Sequence, residues 1–438
     1  MIEPTAPDYA EYLQRIFTAA QDVASHPRPD SPHAGAPAEV ADAAEAAIEA
    51  MREDLVGLSH DIHAHPELCY EEHYSAAAVE AFVADRGHAV TRPAWGLDTA
   101  LLAEAGAADG PTVAILAEYD ALPDIGHGCG HNVICATAVG AFLGAAAVVE
   151  RTGGRVQLIG TPAEEGGGGK EKIARAGGFD DVDAAVMLHP FFADIADHPF
   201  IGVRTVQVVY TGMAAHASAL PFMGRNALDA AVQAYTGMGQ LRQHMLPTDR
   251  VHGIFTDGGQ KPNIVPQRAA LEFYLRSAEP STLEELSKRA EAIFEGAAQQ
   301  TGCGVEIIWD VTPVYLPTRL NGPLTERYAV AAAKRGRPVI PRGLLPESMT
   351  GSTDLGNLSV RVPSIHPLLG IAPFGTPLHT SDFAAAAITE EADNGVIDGA
   401  VAMAQATLDY LADADLRAAA ARDFELGGGL LDVEAMYP

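Results

Sequence analysis

The stretch that decides the fold is PTVAILAEYDALPDIGHGCGHNVICATAVGAFLGAAAVV, residues 111–149. Its first ten residues, 111–120, are mostly apolar and predict a buried strand. The run of small and apolar residues after His131 predicts a helix. Residues 134–149 are too few, and too rich in Ala, Gly and Thr, to span a bilayer, so we interpret them as a core helix. A buried strand that leads through a glycine-rich turn into a buried helix is typical of α/β proteins.

The alternation of strand and helix continues on both sides of this stretch. Residues 154–165 and 183–190 predict two further strands, and residues around 170–176 predict a helix between them. Near the C-terminus, residues 362–370 predict another strand and the Ala-rich residues 383–411 predict a final helix. We therefore expect an α/β fold whose sheet carries helices on both faces.

A different rhythm separates these two α/β regions. Residues 201–316 predict the order β-α-β-β-α-β, which is the split βαβ arrangement of ferredoxin-like domains. The first residues of the chain, around 9–20, show helical spacing and precede a linker rich in Pro, Ser and His. The predicted domains are an N-terminal extension (1–45), a first part of the α/β domain (46–200), an inserted α+β domain (201–316) and a second part of the α/β domain (317–438).

Composition excludes several classes of partner. The chain has 438 residues, with 28 Lys and Arg against 58 Asp and Glu, which gives a formal charge of −30 at pH 7. This balance argues against sequence-independent nucleic-acid binding and against docking on anionic membranes. Four cysteines without a CxxC pair do not predict a disulfide framework. The N-terminus lacks the pattern of a signal peptide, so we expect a cytoplasmic protein.

The densest group of chemically active residues is GHGCGHN, residues 126–132. Cys129 and His131 stand two residues apart in a glycine-rich turn, where a thiolate and an imidazole can converge on a cation such as Zn²⁺. The alternative is a connection that holds an inert cysteine and a surface histidine. This motif alone leaves both interpretations open.

A second group is TPAEEGGGG, residues 161–169, at the end of a predicted strand. Glycines let the backbone approach a ligand, and strand ends carry the sites of α/β proteins. Glu165 can bind a metal while Glu164 acts as a general base, whereas the alternative is a solvated acidic loop. We discount a phosphate-binding loop, because Lys170 is followed by Glu171 and not by Ser or Thr.

Two further histidines lie at the ends of predicted elements. His189 ends the strand VMLHP, and His379 precedes the last helix in TPLHTSDF. Each alone is compatible with a structural histidine, but with Cys129, His131 and Glu165 they make five ligands, enough for two metal ions. No HExxH, GxSxG or GxGxxG motif supports a competing mechanism. We assign a structural role to the remaining histidine cluster, His60, His63 and His65.

Taken together and in order, six motifs resemble the amidohydrolase branch of the co-catalytic zinc metallopeptidase family. This branch includes aminoacylases, hippurate hydrolase and glutamate carboxypeptidases, and the resemblance is greatest to its p-aminobenzoyl-glutamate hydrolase and β-alanyl-lysine dipeptidase group. It covers roughly residues 50–415, and residues 117–132 and 351–367 support the nearer group. The motifs are GHGCGHN, TPAEEGGGG, VMLHP, GMAAHAS, GGQKPNIVP and PLHTSDF.

The resemblance implies a zinc-exopeptidase-like α/β domain with a central mixed sheet, interrupted by a ferredoxin-like dimerisation or lid domain. It implies two divalent ions, Zn²⁺ or Mn²⁺, and a homodimer. Glu164 is then the general base and acid, and His216 polarises the scissile carbonyl in the partner subunit's site. Asn263 and Arg276 hold the substrate carboxylate. The implied metal ligands are Cys129, His131, Glu165, His189 and His379.

Two positions depart from the wider branch. Asn132 stands where Asp often follows the CGH, and Glu118-Tyr119-Asp120 stands where Asp-x-Asp is common. Both variations recur in the nearer group and indicate subgroup more than loss of activity. Asp120 in this position is suited to hold a ligating histidine.

The leading functional hypothesis is therefore a binuclear metal-dependent amidohydrolase or peptidase. Its expected substrate is a small dipeptide, or an N-acyl or N-aroyl amino acid that resembles p-aminobenzoyl-glutamate. An alternative is a non-catalytic metal-bound protein that binds small molecules or serves as a scaffold on the same fold. The intact Glu164–Glu165 pair speaks against it. A phosphoester hydrolase with the same two metals is a weaker third hypothesis.

Overall fold

The computed structural model describes residues 9–25, 30–347 and 349–437. The elements before residue 200 are α1 (Ala10–Ser25), α2 (Ala38–Ala50), α3 (Arg52–Ala64), α4 (His73–Ala84), β1 (Val90–Thr91), β2 (Leu101–Gly106), β3 (Thr112–Ala117), α5 (His131–Ala146), β4 (Arg155–Gly160), α6 (Gly169–Arg175), β5 (Ala184–Val186) and β6 (His189–Phe191). Those between 200 and 318 are β7 (Gly202–Thr211), α7 (Ala227–Leu241), β8 (Arg250–Asp257), β9 (Arg268–Ser277), α8 (Pro280–Thr301) and β10 (Gly304–Trp309). The rest are α9 (Gly322–Lys334), α10 (Leu355–Ser359), β11 (Ser364–Ile365), β12 (Leu368–Gly370), α11 (Ser381–Ala386), α12 (Glu390–Ala412), α13 (Ala414–Leu426) and α14 (Val433–Met436).

The described residues form two compact units. Those within 1–199, 319–349 and 358–431 make the first unit, and those within 200–318, 350–357 and 432–438 make the second. The last two segments of the second unit differ from the predicted boundaries, which gave all of 317–438 to the α/β domain. Hydrogen bonds explain the difference. Ile201 N–H donates to Gly351 O at 3.0 Å, and the Tyr437 hydroxyl donates to Pro280 O at 2.9 Å.

The first unit contains a six-stranded sheet in the order β1-β2-β4-β3-β5-β11. Strands β4, β3, β5 and β11 run parallel, whereas β1 and β2 pair antiparallel. Every residue of the central strand β3 is buried, as is usual for parallel strands covered on both faces. This arrangement confirms the expected α/β fold with a central mixed sheet.

Helix α5 is the core helix expected after His131. Its residues 131–145 are all buried, and it packs against α3, α12 and β3. Small side chains make this packing close: a Cβ added at Gly140 would lie 2.9 Å from Leu55 Cδ1, and one added at Gly144 would lie 2.5 Å from Ile48 Cδ1. No helix in the described ranges is long and apolar enough to cross a membrane.

Two predicted strands are each split in two. Residues 183–190 form β5 and the start of β6, and residues 362–370 form β11 and β12. β6 and β12 pair with each other in a separate two-stranded parallel sheet. Pro190 and Pro367 lie at the junctions and lack the N–H group that an uninterrupted ladder requires.

The predicted C-terminal helix over 383–411 is also interrupted. Helix α11 ends at Ala386, and α12 begins at Glu390. The Thr389 hydroxyl between them accepts a hydrogen bond from Ala392 N–H and so caps α12. At the other end of the chain, α1 confirms the helix expected in the N-terminal extension.

The second unit contains an antiparallel sheet in the order β10-β7-β9-β8, with α7 and α8 packed on it. The chain order β7-α7-β8-β9-α8-β10 gives the ferredoxin-like topology that the sequence predicts. The Asn226 side chain caps α7 by accepting hydrogen bonds from Leu228 N–H and Asp229 N–H.

Candidate metal centre and active site

The ends of strands and helices in the first unit bring the chemically active side chains together. Glu118 and Asp120 follow β3, the Glu164–Glu165 pair follows β4, and α5 begins at His131. β3 and β4 are adjacent and parallel, so their carboxyl ends meet at one edge of the sheet. This edge is where α/β folds place their sites.

Three groups of side chains at this edge are close enough to share a cation. In each group the candidate ligand atoms all lie within 4.8 Å of one another. All five residues predicted as metal ligands belong to these groups. The groups are Cys129, His131 and His189; Cys129, Glu165 and His379; and Glu118, His131 and Glu164.

A cation would satisfy buried atoms that the described residues leave without a hydrogen bond. His131 Nε2, Glu165 Oε1 and Glu118 Oε2 are such atoms. Buried polar atoms are normally paired, and their convergence here indicates a ligand-binding site. A thiol, imidazoles and carboxylates suit Zn²⁺, while imidazoles and carboxylates also suit Mn²⁺. The residues present therefore fit a divalent metal centre.

Asp120 orients His131 from behind. Asp120 Oδ1 lies 3.2 Å from His131 Nδ1, which leaves Nε2 directed at the other candidate ligands. Burial alone would raise the pKa of Asp120, but the hydrogen bond and charge of His131 lower it to about 2. Burial alone would lower the pKa of His131, but Asp120 outweighs burial and holds it well above its usual value. This carboxylate–histidine contact is typical of metal sites.

His189 presents its other ring nitrogen in the same way. Its Nδ1 lies 2.7 Å from Pro190 O and donates a hydrogen bond to it, so Nε2 is free of a proton. Burial, and then the charge of His131, lower the pKa of His189 to about 4. The ring is therefore neutral at pH 7, which is the form that binds metals.

His379 is the exposed member of the set, with 57% of its side chain accessible. Its backbone has a φ of 61°, in the left-handed region, and its N–H donates to Gly128 O at 3.0 Å. His379 Nε2 lies 3.5 Å from Glu165 Oε2. The backbone bond therefore connects the loop of His379 to the turn that carries Cys129.

Glu164 lies beside this centre but remains largely buried, at 8% exposure. Its Oε2 lies 4.0 Å from His131 Nε2. Glu165 Oε1 lies 3.9 Å from the same nitrogen, so both adjacent carboxylates face it. A carboxylate in this position can exchange a proton with a water molecule at the site.

His216, Asn263 and Arg276 belong to the second unit. His216 Nδ1 accepts hydrogen bonds from Ser218 N–H and Ala219 N–H, which leaves the ring proton on Nε2. The loops of His216 and Asn263 are joined, because Ala217 N–H donates to Asn263 O at 3.1 Å. His216 and Asn263 are exposed, and Arg276 is half-buried.

Arg276 has partners that the sequence did not indicate. Its Nη1 donates to Ser352 Oγ at 2.7 Å, and its Nε donates to His252 Nε2 at 3.2 Å. Burial, followed by the charge of Arg276, lowers the pKa of His252, which keeps that ring neutral and able to accept. Ser352 lies in the GSTDLGN motif, a position that could have been suspected because this motif supports the resemblance to the nearer group.

Glu118 is a second residue whose role the sequence did not assign. Its Oε2 lies 3.6 Å from His131 Nε2, and its Oε1 pairs with Lys170 Nζ. Both side chains of this ion pair are fully buried. The position of Glu118 at the end of β3 was the available signal. The 52 residues between it and Lys170 concealed the pairing.

The separate histidine cluster makes contacts of other kinds. His60 Nε2 lies 2.7 Å from Asp393 Oδ1, and His63 Nε2 lies 2.8 Å from Ala384 O. His65 Nδ1 lies 2.8 Å from Asp61 O. These hydrogen bonds connect α3 to α11 and α12 and agree with the structural role expected for the three residues.

Comparison with known proteins gives consistent matches. A model of the peptidase family M20/M25/M40 matches residues 114–411. Xaa-Arg dipeptidase of Mus musculus is 40% identical, over 83% of this chain and 87% of the mouse protein. One of the two types of p-aminobenzoyl-glutamate hydrolase chain from Escherichia coli (strain K12) is 30% identical, over 84% of this chain and 92% of the bacterial one.

A solved structure gives the same fold. A dinuclear metal-binding peptidase of the M20 family from Bacillus subtilis superposes with a TM-score of 0.62 at 21% identity, covering 82% of this chain and 99% of that one. The resemblance predicted from the motifs is thus confirmed, as are the expected hydrolase activity and its class, metal-dependent cleavage of amide bonds. The chain belongs to the peptidase family M20/M25/M40.

Proposed function

We propose that this protein uses two divalent metal ions, Zn²⁺ or Mn²⁺, to hydrolyse small dipeptides or N-acyl amino acids. The observation that carries this proposal is the convergence of three ligand groups beside the buried carboxylate of Glu164. In this proposal the cations are held by Cys129, His131, Glu165, His189 and His379. When bound, two such cations lower the pKa of a water molecule and polarise a carbonyl oxygen.

Glu164 moves the proton in this mechanism. Its carboxylate accepts the proton of the attacking water and later returns it to the nitrogen of the departing amine. Its low exposure supports this role, because a largely buried carboxylate is shielded from bulk solvent. Asp120 and the Pro190 carbonyl hold the rings of His131 and His189 in place, so their Nε2 atoms need little reorganisation.

His216 supplies a hydrogen-bond donor for the substrate carbonyl in a homodimer. The two backbone N–H groups at its Nδ1 leave the proton on Nε2, which suits donation to a developing oxyanion. The loop around His216 also exposes Met213, Leu220, Phe222 and Met223, an apolar surface that favours contact with another chain.

Mixing two inactive variants tests whether His216 acts in the partner's site. Glu164→Gln and His216→Ala chains, dissociated and reassociated in equal amounts, should recover about a quarter of wild-type activity, since half of the dimers then contain one complete site. Light scattering should show a dimer. Active monomers, or a mixture as inactive as its parents, would contradict the role across subunits.

Arg276 and Asn263 hold the substrate carboxylate in this proposal. The guanidinium of Arg276 is oriented by Ser352 and His252, and a fixed fork of donors suits a carboxylate. The mouse relative is named for dipeptides that end in arginine, and the bacterial relative is named for p-aminobenzoyl-glutamate. Dipeptides are therefore the first substrate class to test, followed by N-aroyl amino acids.

The test is a panel of amides given to enzyme that has been stripped of metal and reloaded with Zn²⁺ or Mn²⁺. The panel contains Xaa-Arg dipeptides, β-alanyl-lysine, p-aminobenzoyl-glutamate, hippurate and acetyl-amino acids, with products identified by mass. Hydrolysis should vanish on chelation and return with metal. Tight binding without turnover over the whole panel would favour a binding protein instead. A cytoplasmic location, expected from the cysteines and the N-terminus, stays a prediction.

A further inference from the structure

The turn that carries Glu164 and Glu165 begins with an unusual backbone conformation. Ala163 is fully buried and has a φ of 61°, in the left-handed region that residues with a Cβ rarely adopt. Such a conformation persists only where its surroundings hold it. Something outside the turn must therefore stabilise it.

Glu72 provides the direct contact. Glu72 Oε1 accepts a hydrogen bond from Ala163 N–H at 2.9 Å, and it also accepts one from Tyr70 N–H at 2.9 Å. Glu72 Oε2 accepts a hydrogen bond from the Thr99 hydroxyl at 2.8 Å. The carboxylate is fully buried and bonded on both oxygens, so its position is well defined.

Two neighbours of Glu72 bind the rest of the turn. Cys69 Sγ donates to Glu165 O at 3.2 Å, and the Tyr70 hydroxyl donates to Gly167 O. The ring of Tyr70 lies so close that a Cβ added at Gly167 would come within 2.8 Å of it. The turn 163–167 is thus bonded near its start, middle and end by one short segment, 69–72.

We propose that the segment 69–72 positions the turn 163–167, and that Glu72 is the positioning residue that holds Ala163 in its left-handed conformation. Neither Glu72 nor its neighbours is among the proposed ligands or the proton-transfer groups. They act through the backbone on Glu165, which binds metal in the proposed function, and on Glu164, which moves the proton. The inference rests on that proposed function for its catalytic consequence. Its structural consequence, the geometry of the turn, is independent of turnover.

The conservative substitution is well matched to this role. Burial, with a further contribution from the charge of Asp120, raises the pKa of Glu72 to about 7. A glutamine in its place keeps an oxygen that accepts from Ala163 N–H and changes the charge little near neutral pH. An alanine removes the acceptor and leaves a buried N–H without its partner. Glu71 is the matched control, because it is the adjacent glutamate and is exposed.

The experiment compares Glu72→Ala, Glu72→Gln and Glu71→Ala in the full chain, by kcat and KM and by competition with a chelator for Zn²⁺. Glu72→Ala should lower kcat and Zn²⁺ affinity by about tenfold or more with little change in KM, since loss of a group that orients ligands has effects of this order. Glu72→Gln should retain most of both, and Glu71→Ala should match wild type.

A second substitution tests the backbone conformation itself. Glycine adopts a positive φ without steric cost, so Ala163→Gly added to Glu72→Ala should recover part of the lost kcat and affinity. A purely structural role for Glu72 would give no such recovery. If Glu72→Ala does not fold, Tyr70→Phe, which removes only the bond to Gly167 O, should lower both quantities in its place.

The proposal is overturned if Glu72→Ala, or Tyr70→Phe in its place, equals wild type in both kcat and Zn²⁺ affinity. It is overturned equally if Glu72→Gln loses as much as Glu72→Ala, or if Ala163→Gly recovers nothing. A wild-type protein that cleaves no amide in the panel refutes the proposed function alone. In that case the chelator competition still decides whether Glu72 positions the turn.

Discussion

Asp120 lies against His131 with Oδ1 3.2 Å from Nδ1, and its other oxygen accepts a hydrogen bond from Glu165 N–H at 2.9 Å. One buried carboxylate therefore fixes two of the proposed ligands, one through its ring and the other through its backbone. The sequence left the role of Asp120 open, and the two contacts give it a definite one.

Asp120→Asn should weaken metal binding by about 10–100-fold, as is typical when a partner of a ligating histidine is lost. An amide has one acceptor oxygen and cannot accept from both His131 and the Glu165 backbone. The measurement is competition with a chelator followed by metal analysis. Asp124→Asn is the control, because Asp124 is nearby in the chain and exposed. Equal affinities for both variants would refute the prediction.

Glu164→Gln should lower kcat by roughly 10²–10⁴-fold, the usual contribution of a general acid–base group. Its metal content should stay at the wild-type level, because the proposed ligand is Glu165 and not Glu164. Glu165→Gln makes the contrast and should lose metal at the same chelator concentration. Steady-state kinetics and metal analysis of both variants check this separation. A Glu164→Gln enzyme with full activity would end the proposed mechanism.

Lys170→Met should destabilise the first unit by about 3–5 kcal/mol, the usual cost of leaving one partner of a buried ion pair uncompensated. Lys170 and Glu118 are both fully buried, so Glu118 would keep its charge without the ammonium. Urea denaturation measures the change. The exposed Lys172, changed to Met, should cost less than about 1 kcal/mol.

The same ion pair allows an internal check. Adding Glu118→Gln to Lys170→Met removes the stranded charge and should restore part of the lost stability. A double variant no more stable than Lys170→Met would show that the loss came from packing and not from the uncompensated carboxylate.

Arg276→Ala should raise KM by about tenfold or more with a smaller change in kcat, because a charge-assisted contact to the substrate carboxylate is lost. Arg276→Lys should not restore KM, since an ammonium lacks the planar fork that Ser352 and His252 hold in place. Arg268→Ala is the control on the same strand, with a half-exposed side chain paired to Asp257. Equal KM values for the two alanine variants would contradict the assignment.

The clustering of Cys129, His131 and Glu165 could be predicted, because neighbouring parallel strands end at the same edge of the sheet. The ferredoxin-like order of the second unit followed from hydrophobic spacing and turn residues. The breaks at Pro190, Pro367 and Thr389 were harder. Each interrupts a continuous apolar run, and periodicity alone does not reveal where such a run changes direction.

The contacts that hold the centre could not be read from spacing at all. Glu72 acts on Ala163 through a backbone N–H, which leaves no pattern in the side chains. The Glu118–Lys170 pair joins residues far apart in the chain whose types are more common on surfaces than in cores. Hydrogen bonds of this kind depend on tertiary structure, so they appear only when the fold is known.

Cys129 precedes the second unit in the chain, whereas His379 follows it, and both belong to one candidate ligand group with Glu165. A cation held there would act as a removable clasp between the amino-terminal and carboxyl-terminal portions of the first unit. Because such a clasp exists only in the folded chain, it would stabilise that state by mass action. Metal supply would then govern the lifetime of the protein in the cell as well as its rate of hydrolysis.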